Sequence, residues 1–442
     1  MTHDTQRQVS RHIARNISWL GADRMLALLC NTAIGIAMAR MLGPSVFGSY
    51  SFAIAFVTIL TTIASLGIDP LVLRDLLRQP TDAPHILGTF VGLRFLIGAV
   101  GGGVGGIGIW TLRGDQPDVA WLVCLCLLSL VFRPYEAIDL WFQAQMRVRP
   151  PIVARNRVLL LSTILRAGAL LAGAPLLVFG LLFTLEVALT AAALGWLARC
   201  EAGLLHSWRV CQSYAGQLVR EGWPLMLGGI AVMVYTRVDQ ILLGEILGDE
   251  AVGLFAIATR FSELGYFVPM VLMTSFTPLL IAAYQEERAR AVALMQRLFT
   301  LMTALGVAGA LMLTLLAPWL VRGVFGAAYE GAIMILMLHA WSMPFVFLGV
   351  AQSSWDLLEQ RTRLGLLRTI IGAVLNIALN LVLIPRYAGA GAAIAILLAQ
   401  VSAAWLLNLA IPANRAVFWQ QTRALLFRDT LQTLAFAWRT LR

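Results

Sequence analysis

The feature that most constrains this chain is a succession of apolar blocks, each about as long as a membrane-spanning helix of roughly 20 residues. Hydrophobic residues make up 59% of its 442 residues and charged residues 13%, with a mean hydropathy of +0.80. A soluble protein of this size could not bury so much apolar surface. The sequence therefore predicts an all-α polytopic membrane protein, and it excludes a soluble enzyme, a disordered chain and a disulfide-stapled secreted domain.

The connectors between the predicted spans alternate in charge. Twelve spans are expected, at 17–39, 49–68, 86–110, 119–142, 158–174, 177–198, 223–243, 253–276, 298–319, 332–352, 366–384 and 390–411. One set of connectors, together with both chain ends, carries 23 of the 33 basic residues, all of them arginine, whereas the other set carries four. Because cytoplasmic loops are enriched in basic residues, we expect both termini to lie in the cytoplasm.

The predicted spans divide the chain into five segments. A cytoplasmic N-terminal segment (1–16) is followed by an N-lobe of six spans (17–198), a cytoplasmic linker (199–222), a C-lobe of six spans (223–411) and a cytoplasmic tail (412–442). The tail mixes arginine with tryptophan and phenylalanine, which is typical of a helix that lies on the inner membrane surface. A poorly ordered tail is the alternative. The five cysteines lack the spacing of a metal site or a disulfide framework, and the basic excess indicates cytoplasmic loops, not nucleic-acid binding.

A short motif repeats at the same place in the two predicted lobes. The segments LGPSVFGSY at 42–50 and LGDEAVGLF at 247–255 lie 205 residues apart, each in the connector after the first span of its lobe. A repeat after six spans keeps the same membrane orientation, so the two lobes are predicted to be related by an axis along the membrane normal. Because transporters place substrate sites near the midplane at such repeat interfaces, the repeat favours a transporter.

Several charged residues lie within the predicted spans, where charges usually face a cavity or each other. The candidate cavity cations are Arg24, Arg94, Arg166, Arg237 and Arg260. Facing one cavity of low dielectric, they would attract an anion, and the guanidinium fork suits a diphosphate. The alternative is neutralisation in pairs, for which Arg260 and Glu263 have the helical i,i+3 spacing.

The acids within the spans suggest two further roles. Asp239 and Glu186 are candidates for binding a coupling ion, H+ or Na+, because isolated acids in spans are commonly ion sites. A buried neutral carboxyl is the alternative for Glu186. Arg133, Glu136 and Asp139 share one stripe of span four and are predicted to form a structural ion cluster, with a proton site at one of the two acids as the alternative. No cofactor, metal site or nucleophile motif is expected.

Four segments, read in order, resemble the polysaccharide transporter (oligosaccharide flippase) family. They are RMLGP with FGSY at 40–50, PYEAID with WFQ at 134–143, WPL with YTRVDQILLG at 223–244, and NIALNLVLIPRY with GAAIA at 376–395. The family belongs to the multidrug/oligosaccharidyl-lipid/polysaccharide exporter superfamily. The resemblance implies two six-helix lobes, alternating access, and an undecaprenyl-diphosphate-linked glycan as cargo. Arg24, Arg237 and Arg260 fall near the positions of the family's basic cavity residues.

The expected function is therefore a flippase for lipid-linked oligosaccharide repeat units in surface polysaccharide synthesis, such as O-antigen or exopolysaccharide, in a bacterial inner membrane. The implied partners are the lipid-linked oligosaccharide and the bilayer, with polysaccharide assembly proteins left open. A cation-coupled multidrug exporter of the same superfamily is the first alternative, although its cationic cargo would favour an acidic cavity. A polysaccharide polymerase or ligase is the second, although relatives of that class carry a large outer loop that is missing here. The absence of lysine departs from the family pattern.

Overall fold

The computed structural model describes residues 3–202 and 208–428, with side chains described from residue 19 to 200 and from 208 to 428. Part of the predicted N-terminal segment, residues 203–207 of the predicted linker and residues 429–442 of the predicted tail lie outside these limits. Within the described ranges the chain forms helices joined by short turns, with no strand. The predicted all-α class is confirmed.

Sixteen α-helices follow one another along the described chain. They are α1 (His3–Ser65), α2 (Asp69–Arg78), α3 (Ala83–Arg113), α4 (Pro117–Leu127), α5 (Ala137–Ala144), α6 (Arg149–Leu171), α7 (Leu176–Ala202), α8 (Gln212–Leu247), α9 (Asp249–Gly265), α10 (Phe267–Glu286), α11 (Arg288–Phe325), α12 (Ala332–Ala340), α13 (Met343–Leu358), α14 (Thr362–Val401), α15 (Leu407–Ala410) and α16 (Arg415–Leu425).

Eight helical stretches in the described chain are long and apolar enough to cross a membrane, and the bent pair Pro117–Val131 with Arg133–Ala144 makes a ninth. Two of the eight, at Trp19–Arg78 and Thr362–Ala410, are 60 and 49 residues long, enough for two spans each at about 1.5 Å per residue. The arginine-bearing helix α6 has 23 residues, which is also sufficient. The eight stretches, two of which are long enough for two spans each, together with the bent pair and α6 account for the twelve predicted spans.

The break inside α1 occurs at Gly43, whose backbone has φ 78° and ψ 170°. This region is open essentially only to glycine, and Pro44 then begins the next span, since proline suits the first turn of a helix. Gly248, between α8 and α9, has nearly the same angles, φ 88° and ψ 178°. The two copies of the predicted repeat therefore turn the chain in the same way.

Span four is not a continuous α-helix. Two 3-10 segments, Leu128–Val131 and Arg133–Glu136, separate α4 from α5, and the two halves of the span meet at a bend of 41°. Pro134 removes a backbone donor here, which disfavours a regular helix. The break brings Arg133 and Glu136 to the surface of the neighbouring helix α3.

The described chain separates into two compact units. The first comprises residues 1–42 and 52–233, with a core that includes Ile68, Leu87 and Phe90. The second comprises residues 43–51 and 234–442, and Phe255, Phe299 and Phe347 are among its fully buried side chains. The short segment 43–51 belongs to the second unit because it packs against the start of α9.

Candidate functional site

Arg24, in the first unit, is exposed and forms no ion pair with any described residue. Its neighbour Asp23 is engaged elsewhere, because Arg155 donates from Nη2 to Asp23 Oδ2 at 2.8 Å. The same guanidinium donates from Nη1 to Asp139 Oδ2 at 2.6 Å. Arg24 is thus a cation within a predicted span whose charge no nearby described acid neutralises.

A second group of cations lies in the second unit. Arg237 Nη2 is 3.6 Å from Glu263 Oε2, and each of these side chains is about one-third exposed, at 33% and 35%. Arg260 lies within electrostatic range of Glu263, of Arg237 and of Tyr50. Two guanidinium groups therefore lie near the carboxylate of Glu263, at positions that are partly exposed.

Arg94, predicted to be a cavity cation, lies among acids. Its Nη2 is 3.5 Å from Asp69 Oδ1 and its Nη1 is 3.4 Å from Glu136 Oε2, while its guanidinium lies over the Phe90 ring at 4.8 Å. Arg133 Nη1 donates to the other oxygen of Glu136 at 3.1 Å. The structure therefore joins Arg94 to two members of the predicted ion cluster, whereas the third member, Asp139, bonds to Arg155 instead.

Arg166 and Glu186 form a buried ion pair between α6 and α7. The Nη2 to Oε2 distance is 2.6 Å, and the side chains are 5% and 24% exposed. Ser162 donates a further hydrogen bond to the same carboxylate oxygen at 2.7 Å. Glu186 is therefore not an isolated acid as the sequence suggested, and the pairing that was the alternative for Arg166 is the arrangement found. A coupling role for Glu186 stays a prediction.

Asp239 is completely buried in the second unit. It accepts a hydrogen bond from Asn380 Nδ2, which also donates to the Asn376 carbonyl oxygen at 2.9 Å. Asp239 Oδ2 and Asn380 Oδ1 have no hydrogen-bond partner in the described chain. Carboxylate and amide oxygens are ligands for hard cations, which fits the predicted coupling-ion role of Asp239. No group of three or more His, Cys, Asp or Glu side chains suited to a metal ion occurs among the described residues.

Three residues that contact the candidate site residues are not predicted from the sequence. In the sequence, Arg155 belongs to an arginine-rich connector, and Asn376 and Asn380 belong to a family motif that carries no predicted site. Two asparagines four residues apart in an apolar span share one helix face. This spacing is a sequence signal that indicates the polar group around Asp239. Nothing in the sequence singles out Arg155 from the other connector arginines.

Outside the spans, the first unit is tied together at the start of α8. Arg74 of α2 donates to Glu221 at 3.0 Å, and Tyr214 donates to Asp75 at 3.0 Å. Hydrogen bonds from Gln217 and Arg74 lower the pKa of Glu221, so this pair stays charged at neutral pH. The link holds the connector after span two against the helix that leads into span seven.

Comparison with known families adds to this geometry. Residues 13–281, more than half of the chain, match the profile of the family described as polysaccharide biosynthesis protein. Residues 224–382 also match the MatE profile. No curated protein matches the sequence.

Solved structures share the fold across nearly the whole chain. The lipid II flippase MurJ in an inward closed conformation has a TM-score of 0.72 at 14% sequence identity, covering 95% of this chain and 93% of its own. An inward-facing multidrug resistance MATE family transporter of the MOP superfamily has a TM-score of 0.68 at 15% identity, covering 94% and 99%. A MOP superfamily transporter from Pyrococcus furiosus, described as having a binding pocket of reverse polarity, has a TM-score of 0.60 at 13% identity, covering 93% and 96%.

Proposed function

The chain belongs to the polysaccharide biosynthesis protein family, and on that premise we propose that it is a flippase for undecaprenyl-diphosphate-linked oligosaccharide repeat units. The glycan and its diphosphate cross the membrane by alternating access while the lipid tail stays in the bilayer. The step serves surface polysaccharide synthesis in a bacterial inner membrane, with both termini in the cytoplasm. The positive-inside distribution of the connector arginines supports this orientation.

The observation that carries the proposal is a set of guanidinium groups within the spans, of which Arg24 is exposed and Arg237 and Arg260 are partly exposed. Arg24 has no acid partner in the described chain, and Arg237 and Arg260 both lie near Glu263. A diphosphate presents several anionic oxygens, and arginine binds such oxygens through two parallel hydrogen bonds. In the low dielectric of a membrane protein, these charges select for an anionic head group.

Coupling to an ion gradient forms a second part of the proposal. Asp239, with Asn376 and Asn380 beside it, offers oxygen ligands in a buried position that could hold Na+ or take up H+. Isolated acids in spans are commonly such sites. The coupling site lies in the second unit, on the same helix α8 as Arg237.

The alternative is a cation-coupled multidrug exporter, which the MatE match over residues 224–382 favours. A cationic drug would need an uncompensated acid where it binds. The partly exposed group of Arg237, Arg260 and Glu263 instead contains two guanidinium groups beside one carboxylate, which supports an anionic cargo. The solved structures that share the fold carry the names of a flippase and of transporters, which speaks against the polymerase or ligase alternative.

Deletion of the gene tests the function. We expect undecaprenyl-diphosphate-linked glycan to accumulate on the cytoplasmic side and surface polysaccharide to be lost, with both restored by the wild-type gene. Arg290→Ala, which alters an exposed connector arginine paired with Glu286, should complement fully. Normal surface polysaccharide in the deletion strain, together with increased sensitivity to cationic dyes, would replace the flippase proposal by the drug exporter.

A further inference from the structure

The C-terminal helix α16 is held against the second unit by a buried network of amides. Gln421 of α16 is fully buried, and its side-chain nitrogen donates to Gln352 Oε1 of α13 at 3.0 Å. Asn408 of α15 donates to Gln421 Oε1 at 3.0 Å and to Gln352 Oε1 at 2.9 Å. Because a buried polar network that is bonded in this way specifies one arrangement of the helices that share it, α16 is part of the folded unit.

The contacts of α16 also place it beside the predicted membrane surface. Gln420 donates from its side chain to the Val292 carbonyl at 3.0 Å, and Gln296 donates from its side chain to the Gln420 carbonyl at 3.1 Å. Val292 and Gln296 belong to α11 and precede position 298, where span nine is predicted to begin. At about 1.5 Å per residue, both lie roughly 9 Å or less from the end of that span. α16 therefore lies at the level of the lipid head groups on the predicted cytoplasmic side.

The apolar face of α16 is covered by the protein itself. Val417, Phe418 and Ala424 are buried, and the Phe418 ring stacks on Trp405 with the ring centroids 5.6 Å apart. A free amphipathic helix on a membrane buries such side chains in the bilayer. Because this face is already occupied, the surface helix that the sequence predicts can contact lipid only through its opposite face.

The opposite face of α16 presents Arg415, Trp419 and Arg423, which we call the arginine stripe. The three residues follow one another at intervals of four, so they share one face of the helix, and all are exposed, Trp419 at 59%. Arg423 forms no ion pair with any described residue. Within the described chain, Arg415 donates only from Nε, to the Leu409 carbonyl at 3.3 Å, which leaves both of its Nη groups available. The stripe therefore offers guanidinium groups that no described acid neutralises, on either side of a tryptophan.

Such a stripe matches the head group of an anionic phospholipid. Guanidinium groups bind phosphate oxygens through charge-assisted hydrogen bonds, and tryptophan is enriched where the bilayer meets water. Anionic lipids of the inner leaflet attract basic residues that lie near its surface. The sequence from 412 to 442 contains five arginines and a single acid, Asp429, so its charge complements that leaflet. A zwitterionic head group has no net charge and is attracted less.

We propose that the arginine stripe binds the head groups of anionic phospholipids in the inner leaflet. The site goes beyond the flippase proposal and does not depend on it, because none of its residues is among those assigned to the cargo or to a coupling ion. Since α16 is bonded to α11 and α13, a lipid bound to the stripe ties the cytoplasmic end of the second unit to the surface of the leaflet.

The test measures lipid binding by the full-length protein in an uncharged detergent. A fluorophore attached through Ala416→Cys, in protein whose five native cysteines have been replaced, reports on the exposed side of α16. The probes are phosphatidylglycerol, which is anionic, and phosphatidylethanolamine, which is zwitterionic, each with a nitroxide on an acyl chain that quenches the fluorophore when the lipid binds nearby. We expect phosphatidylglycerol to quench the wild-type protein at a lower concentration than phosphatidylethanolamine does.

Arg415→Gln combined with Arg423→Gln removes both charges and leaves the buried face of α16 unchanged. We expect the concentration of phosphatidylglycerol that gives half-maximal quenching to rise by roughly 10- to 30-fold, the combined effect of two such arginines near an anionic head group. Quenching by phosphatidylethanolamine should not change. Arg290→Gln is the matched control, because Arg290 is an exposed arginine of the connector before span nine and is paired with Glu286. It should bind both lipids as the wild type does.

Equal quenching of the wild-type protein by the two lipids would overturn the proposal, and so would a double glutamine variant that binds phosphatidylglycerol as the wild type does. A partner protein on this face, the alternative occupant, predicts the second of these results. If the glutamine variant unfolds at a lower temperature than the wild type without lipid, Arg415→Lys combined with Arg423→Lys decides the question. This variant keeps both charges and should keep the preference for phosphatidylglycerol, and loss of that preference would exclude head-group binding.

Discussion

Gly48 packs directly against Gly253, and the contact is reciprocal. A side chain on Gly48 would overlap the Asp249 carbonyl, and a side chain on Gly253 would overlap the Pro44 carbonyl. Each glycine lies five residues after a glycine of positive φ, Gly43 or Gly248. The two copies of the sequence repeat therefore meet through equivalent positions. Ser49 adds a hydrogen bond to Asp249 Oδ2 at 2.5 Å.

Gly253→Ala should destabilise the protein by about 1–3 kcal/mol, because the new methyl group must force α1 and α9 apart. Gly103→Ala is the matched control in α3, since no atom lies within 4 Å of its added Cβ. It should be neutral or stabilising by up to about 1 kcal/mol. Thermal unfolding in detergent compares the two variants. Equal unfolding temperatures for both would mean that the glycine contact is not tight in solution.

The predicted topology can be tested by cysteine labelling in whole cells after replacement of the five native cysteines. Cysteine at Asp115 or Ala328 should react with an impermeant reagent from outside, and cysteine at Gln285 or Gln360 should not. All four positions are exposed in the structure, so a lack of labelling reports the side of the membrane and not burial. External labelling at Gln285 would contradict the twelve-span topology.

The ion pair of Arg166 with Glu186 should be structural. Arg166→Met leaves a partly buried carboxylate without its partner, and breaking such a pair typically costs about 3–5 kcal/mol. Adding Glu186→Gln should recover much of the loss, because the uncompensated charge is gone. The readout is the amount of folded protein in the membrane. A double variant no more stable than Arg166→Met would show that the pair is not the source of the effect.

Arg24 and Arg260 should act in cargo capture. A hydrogen bond to a charged group contributes about 1.5–3 kcal/mol, so alanine at either position should weaken cargo binding by roughly 10- to 150-fold. Lysine should restore only part of this, because it keeps the charge and loses the fork. Membrane levels of both alanine variants should match the wild type. Normal export by both would exclude the capture role, whereas lost export with lost protein would indicate structural arginines.

Asp239→Asn should abolish the response of transport to sodium or to pH, because a neutral amide can neither neutralise a cation nor take up and release a proton. Glu186→Gln is the parallel test of the second predicted coupling acid. Transport should be followed in proteoliposomes across a range of pH and sodium concentrations. If both variants keep the wild-type response, neither acid couples transport to an ion.

The helices and the family were predictable from the sequence, because the helices follow from apolar blocks and the family is identified by short sequence segments. A bilayer core lacks water to satisfy backbone groups, so long apolar blocks must become helices. The family resemblance is confirmed by the family match over residues 13–281, which includes three of the four short segments. The twelve-span fold class is likewise confirmed by the solved MOP superfamily structures.

The partners of the charged side chains were not predictable in the same way. Asp139 lies near Arg133 in sequence, yet it bonds to Arg155, which also holds Asp23. Glu136 lies in a 3-10 segment of span four and is 3.4 Å from Arg94 of α3, a partner on another helix that the helical period of span four does not indicate.

The sequence by itself determined where the chain crosses the membrane and that its spans carry several arginines together with acids, because hydropathy and charge can be read along the chain. Only the tertiary structure decided which of these arginines are paired with an acid and which are not. Arg166 meets Glu186 and Arg94 meets two acids, whereas Arg24 meets none among the described residues. Ion pairing depends on distances of a few ångströms between groups on different helices. Those distances are set by how the helices pack and where span four breaks, and no pattern along a single helix encodes them.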